Sequence, residues 1–121
     1  MNINNLKSSI RKKNNTIFWI TNPNLINLEI AIKSNYFDIY VIDYEHSLIS
    51  IDEIKNIIVL LNNLNLPILI RFAKFNIVEA PKFLDYGIDG IIASEVASLK
   101  QLNFIKKIIF YPEIGNRGVG L

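Results

Sequence analysis

Four apolar residues in a row, Ile39-Tyr40-Val41-Ile42, run directly into Asp43, with Glu45 and His46 just beyond. A short β-rich run without polar alternation reads as a strand buried on both faces, and such strands belong to parallel sheets covered by helices. That alone narrows the chain to an α/β fold. It also says where chemistry belongs. A strand buried on both faces has no reason to end in three ionisable groups unless that end opens on something polar, and in α/β folds the C-terminal ends of the strands are where ligands bind. His46 is the only histidine, so any imidazole chemistry falls to it.

The rest of the chain repeats the pattern. Residues 4–13 read as a short amphipathic helix, with Leu6 and Ile10 four apart. Residues 16–21 are β-branched and aromatic, a strand. Asn22 is predicted to cap, and Pro23 to begin, a helix carrying Leu25, Ile26, Leu28, Ile30 and Ile32 and ending at Asn35. Residues 37–42 are the second strand. Ser50-Ile51-Asp52-Glu53 is a capping box, and Ile54, Ile57, Ile58 and Leu61 follow at helical spacing up to an Asn-rich stop at 62–65. Residues 66–71 are the third strand, with Pro67 at its start. Asn76 is predicted to cap a helix over 77–86, with Pro81 in its first turn or at a kink and Gly87 as its stop. Residues 88–93 form the fourth strand, and Ser98 caps a helix reaching Lys107. Residues 108–111 read as extended, and 112–121 as a Gly-rich turn. The order is one helix followed by four βα units, which implies parallel strands joined by right-handed crossovers. Two closures fit: an open doubly wound sheet, or part of a (β/α)₈ barrel, of which four units are half.

Composition removes several function classes. At 121 residues, half of them apolar and a fifth charged, the chain reads as one globular domain spanning 1–121. A net charge of +2 is too small to argue for nucleic acid. The one basic cluster, Arg11, Lys12 and Lys13, reads as a solvated helix end. With no cysteine there is no disulfide framework and no thiolate metal site. No apolar run reaches the roughly 18 to 20 residues of a membrane span, and residues 1–15 lack the apolar core of a secretory signal. The expectation is a soluble, cytoplasmic protein. Gly115-Asn116-Arg117-Gly118-Val119-Gly120 lacks the Gly-Lys-Ser/Thr ending of a phosphate loop, and no helix follows it.

What remains is a set of polar residues that parallel strands bring to one face: Thr21 and Asn22, then Asp43, Glu45 and His46, then Arg71, then Ser94 and Glu95. Polar residues follow strands in any fold, which accounts for Thr21 and Ser94. A lone histidine beside two carboxylates, and an arginine on a buried strand, ask for more. His46 is a candidate general base, the role an imidazole most often takes. The carboxylate that orients it is either Asp43, close in sequence, or Asp85, which also reads simply as a surface acid before the Gly87 stop. Arg71 has the planar fork that suits a substrate carboxylate or an enolate oxygen. A base, a guanidinium and acids together fit proton abstraction next to a carbonyl, or the reverse of that in aldol chemistry.

These residues resemble the HpcH/HpaI aldolase family, related to the citrate lyase β-subunit group. The resemblance rests on Phe37-Asp38 leading to Ile42-Asp43-Tyr44-Glu45-His46, on Ile70-Arg71, on Leu84-Asp85-Tyr86-Gly87-Ile88-Asp89-Gly90-Ile91-Ile92, and on Tyr111-Pro112 with the glycine-rich 115–120 stretch. It covers the chain but only the first half of the family's barrel. It implies the N-terminal half of a TIM (β/α)₈ barrel and a metal-dependent class II lyase that makes or breaks a carbon–carbon bond of a 2-oxo acid, with an aldehyde partner, through a pyruvate enolate. By the same resemblance, His46 is the catalytic base paired with Asp85, Arg71 binds the substrate carboxyl and the enolate, and Asp43 lies near the metal-bound water. Arg117 and Gly118 line the mouth of the site. The cofactor would be Mg²⁺ or Mn²⁺, whose Glu and Asp ligands the family takes from the second half of the barrel. Asp43, Glu45 and Glu95 are the substitute oxygen set within this chain. Two departures stand out: Tyr44 where the family usually has glycine, expected to crowd the loop, and Ala93-Ser94-Glu95-Val96 where it tends to have a proline and an apolar residue. The expectation is a truncated aldolase, inactive alone, that associates as a homo-oligomer or with a complementing chain. The alternatives are one chain of a split aldolase and a non-catalytic binding or assembly protein.

Overall fold

The computed structural model describes residues 3–11 and 14–119. Lys12 and Lys13 of the basic cluster, and Gly120 and Leu121 of the terminal turn, lie outside the described residues. The elements alternate as the sequence requires: α1 (Ile3–Ile10), β1 (Ile17–Ile20), α2 (Leu25–Lys33), β2 (Ile39–Asp43), α3 (Ile51–Asn63), β3 (Ile68–Phe72), a 3₁₀ turn (Ile77–Glu79) leading into α4 (Ala80–Tyr86), β4 (Gly90–Ala93) and α5 (Leu99–Ile109). The sheet order is β1-β2-β3-β4 and every pairing is parallel.

That order decides between the two closures. A doubly wound sheet reverses its strand order at a switch point and carries helices on both faces. Here the order never reverses, and α2 to α5 all pack on one face. The main core joins Leu28, Ala31, Ile54, Ile57, Ile58, Leu61, Phe83 and Ile105 of those helices to Ile20, Tyr40, Ile42, Ile68, Ile70 and Phe72 of the strands. Strand residues of the other parity face inward. Ile39 and Val41 are buried there with Leu6 of α1, beside Leu69 and Ile92. By register Ile17 lies next to Ile39, and Trp19 next to Val41. A sheet wound in one direction, with helices outside and a second apolar face inside, is an arc of a (β/α)₈ barrel. Gly90 belongs to the inner packing, for a Cβ there would meet Leu69 at 3.0 Å and Leu6 at 3.6 Å.

Several local expectations hold. Ser50 and Glu53 form both halves of the capping box, Ser98 caps α5 through the Gln101 amide, and Gly87 stops α4 at φ 107°. Pro81 sits in the first turn of α4. Others are corrected. The cap of α2 is Asn24, whose side chain accepts from the amides of Ile26 and Asn27, while Asn22 accepts from Asn24 one step earlier. Asn76 caps nothing with its side chain; its amide donates instead to the Tyr44 carbonyl at 3.2 Å. Ile108 and Ile109 continue α5 because both pack against the core from the helix.

The lower ends of the strands are pinned in one way twice over. Asp38, before β2, accepts from the Thr16 amide at 3.0 Å, and Asp89, before β4, accepts from the Ile68 amide at 2.8 Å. Each carboxylate satisfies an amide at the start of the preceding strand and so fixes the register of a β-strand pair.

Candidate functional site

Asp43 and Arg71 are register partners on adjacent strands. Counting by twos from Val41 and Leu69 puts both on the inner face, one layer nearer the C-terminal ends. The period-2 rule therefore projects a carboxylate and a guanidinium side by side into the barrel interior. Their chemistry follows from their partners. Asp43 is buried, with its side chain 4% exposed. One oxygen, Oδ1, accepts from the amides of Glu45 and His46, both at 3.0 Å, which curls the loop over the end of β2. The other, Oδ2, accepts from the Trp19 indole at 3.0 Å and from Arg71 Nη1 at 3.4 Å. Burial pushes the Asp43 carboxyl up, yet the donors from His46, Trp19 and Glu45 and the Arg71 charge outweigh it and hold the group below the usual carboxylate range. Asp43 is an anion in the folded protein.

Glu45 completes the cluster. Its side chain is 8% exposed, with Oε2 2.6 Å from Arg71 Nη2 and Oε1 accepting from the Ser94 hydroxyl at 2.8 Å. Arg71, 28% exposed at its side chain, is thus clasped by two carboxylates, and its guanidinium lies over the Trp19 ring at 5.8 Å. His46 stands at the rim, 69% exposed at its side chain, with Nε2 3.7 Å from Glu45 Oε2. One cation and two anions give the cluster a formal charge of −1.

Of the residues singled out in the sequence, Asp43, Glu45, Arg71 and Ser94 come together, with His46 beside them. The resemblance's pairing of His46 with Asp85 does not form within the chain. Asp85 is in the last turn of α4, the turn that leads into the start of β4, so it lies at the opposite end of the sheet. It binds Arg117 Nη2 instead. Arg117 does not line the mouth of the site either. Its side chain is 10% exposed, paired with Asp85 and stacked on Tyr111 at 4.6 Å, which fastens the terminal segment to α4; Gly118 follows it there, exposed. Glu95, Thr21 and Asn22 are exposed on their loops and take no part in the cluster. Tyr44 does not crowd the site. It turns to the outer layer, packs edge-on against Phe72 and Phe83, and donates to Glu79 at 3.1 Å.

The sequence reading missed Trp19. Its signal was parity: the residue two after Ile17 on β1 faces inward, where an indole N–H can reach the carboxylate of the neighbouring strand.

The residues present do not fit a complete metal site. Among the described residues no group of three potential ligands converges, and Asp43 and Glu45 already neutralise Arg71. The substitute set of Asp43, Glu45 and Glu95 is not assembled. No helix among the described residues is long and apolar enough to cross a membrane.

No family model matches the sequence, and no curated protein matches it. Solved structures do. The HpcH/HpaI aldolase from Desulfitobacterium hafniense DCB-2 superposes with a TM-score of 0.78 at 23% identity, over 95% of this chain and 45% of that one. The citrate synthase SbnG gives 0.82 at 23% identity, over 97% and 46%. Macrophomate synthase gives 0.80 at 20% identity, over 98% and 41%. The chain spans under half the length of each. Its fold is that of a partial α/β barrel, the N-terminal half of the barrel found in the HpcH/HpaI aldolase and its structural neighbours.

Proposed function

We propose that these residues form the Arg71-centred half of an aldolase site that makes or breaks a carbon–carbon bond of a 2-oxo acid. The observation that carries this reading is the Asp43–Arg71–Glu45 cluster at the C-terminal ends of adjacent parallel strands, with His46 at its rim. In the cleavage direction a base removes the proton of the C4 hydroxyl of a 4-hydroxy-2-oxo acid. The C3–C4 bond breaks, the aldehyde leaves, and the electron pair becomes the pyruvate enolate, which takes a proton at C3. Arg71 meets the substrate carboxylate and the enolate oxygen, and the two carboxylates fix its fork. His46, the one imidazole, is the base. The Mg²⁺ or Mn²⁺ that the family resemblance implies has no complete ligand set among the described residues, and the −1 charge of the cluster, which already holds two carboxylates, disfavours a third. The reading therefore includes that these strands alone bind a 2-oxo acid weakly and do not turn it over. The reading assigns the missing positive charge to the strands that complete the barrel. A cytoplasmic location accords with this chemistry.

A second reading, a non-catalytic binding or assembly protein, is favoured by one observation: His46 is largely exposed and not paired with Asp85. A pyruvate-release assay on the 121-residue chain with Mg²⁺ or Mn²⁺ tests the first reading. No turnover is expected. Metal-dependent turnover that His46→Ala abolishes would overturn the incompleteness claim while supporting the chemistry.

A further inference from the structure

Arg71 is clasped from the β2 loop, but the clasp reaches one strand further. We propose that Ser94, at the end of β4, is a positioning residue that sets the orientation of Arg71 through Glu45. The inference rests on the reading of Arg71 as the group that meets the substrate anion. Three observations carry it. First, the Glu45 amide is tied to Asp43 Oδ1, which places the residue but leaves its side chain to be aimed by other groups; the short contacts on its carboxylate are Arg71 Nη2 at 2.6 Å on Oε2 and the Ser94 hydroxyl at 2.8 Å on Oε1, with His46 Nε2 farther off at 3.7 Å. Second, the Ser94 hydroxyl has one hydrogen and two acceptors in range, Glu45 and the Phe72 carbonyl at 3.1 Å. The Phe72 carbonyl already accepts from the Ser94 amide at 3.1 Å, and the bond to a carboxylate is shorter and charge-assisted, so the proton belongs to Glu45. Third, the Asp43–Nη1 contact is long at 3.4 Å, and Asp43 is already committed to two amides and an indole. Of the two ion pairs on the guanidinium, the one with Glu45 is the shorter.

The chain Ser94–Glu45–Arg71 thus ties the ends of β4, β2 and β3 into one unit.

The test is the exchange of the Arg71 Nε proton with water, followed in the ¹⁵N-labelled protein and assigned by its loss in Arg71→Lys. Ser94→Ala is expected to speed that exchange by roughly threefold or more with the melting temperature nearly unchanged, and Glu45→Ala to do so further. If Ser94→Ala unfolds the protein, Ser94→Thr and Ser94→Val decide, being alike in size and differing in the hydroxyl. Slow exchange in the threonine variant and fast exchange in the valine variant supports the proposal. Equal exchange in the pair, or no change in the alanine variant, overturns it. Titration with pyruvate and with oxalate separates this from the function it rests on. Hydroxyl-dependent ordering of Arg71 with no response to either anion would keep the positioning role and remove the 2-oxo acid reading.

Discussion

Asp43 concentrates the physics of the site in one side chain. It is buried, it accepts four hydrogen bonds, and it faces a guanidinium. Asparagine there would turn an N–H₂ group toward the Trp19 indole or the Arg71 fork, donor against donor. Asp43→Asn is expected to cost about 3 kcal/mol in urea unfolding. The pH dependence follows from its lowered pKa. A carboxylate whose folded pKa lies below its unfolded one contributes stability in full above the unfolded value, and that contribution is lost as pH falls through the folded value. Asp89 works in the opposite sense. Burial raises its pKa against the Ile68 amide's opposing pull, so its contribution is complete below the unfolded pKa and is lost as pH rises through the folded one. Asp43→Asn should therefore flatten the acid limb of the stability profile, and Asp89→Asn should steepen it. Neither effect was readable from the sequence, which shows two aspartates near strand ends and nothing of which donors meet them.

At the scale of elements, Tyr44 shows how a loop residue is recruited to the core. Its ring fills the outer layer between Phe72 and Phe83. Tyr44→Ala is expected to cost about 2 kcal/mol, less than a fully buried aromatic because the site is part-exposed, while leaving the Arg71 exchange rate unchanged. Arg117→Ala should free the terminal segment from α4, seen as faster amide exchange at positions 116 and 117 with α3 unaffected, because these amides bond the end of α5 at Lys107 and Phe110. The elements themselves were largely legible. Each strand is a short run rich in isoleucine and other apolar residues, and the face each residue takes then follows from parity. The errors came where local signals tied or misled. Asn22 and Asn24 flank Pro23, and only the cap geometry chooses between them. The 108–111 stretch has strand composition, but helical packing of Ile105, Ile108 and Ile109 on the core wins. The residues left Asp43 and Asp85 open as partners of His46 and the resemblance favoured Asp85; within this chain α4 places Asp85 at the opposite end of the sheet, on Arg117.

For the molecule as a whole, the sheet order leaves β1 and β4 with one unpaired edge each among the described residues. Ile17 and Trp19 on the inner face, Leu25, Ile26 and Ile30 on α2, and Leu99 and Leu102 on α5 are exposed beside those edges. Unpaired parallel edges flanked by apolar side chains invite further strands. Light scattering of the 121-residue chain should accordingly give a mass above that of a monomer at micromolar concentration, falling when Trp19 and Ile26 are both replaced by Lys. The convergence of polar residues at the strand ends was legible from strand order. The lack of a third converging ligand among the described residues was not legible in the same way, because it depends on the contacts that the fold supplies. The central claim is that these strands carry half of an aldolase site. The most direct test is pyruvate release from a 4-hydroxy-2-oxo acid, measured side by side for the chain alone and for the chain joined to the second half of the Desulfitobacterium barrel. The account predicts turnover only in the joined protein, lowered at least about a hundredfold by Arg71→Ala, roughly 3 kcal/mol in transition-state binding. Turnover by the chain alone, or a folded joined barrel whose activity ignores Arg71, would contradict it.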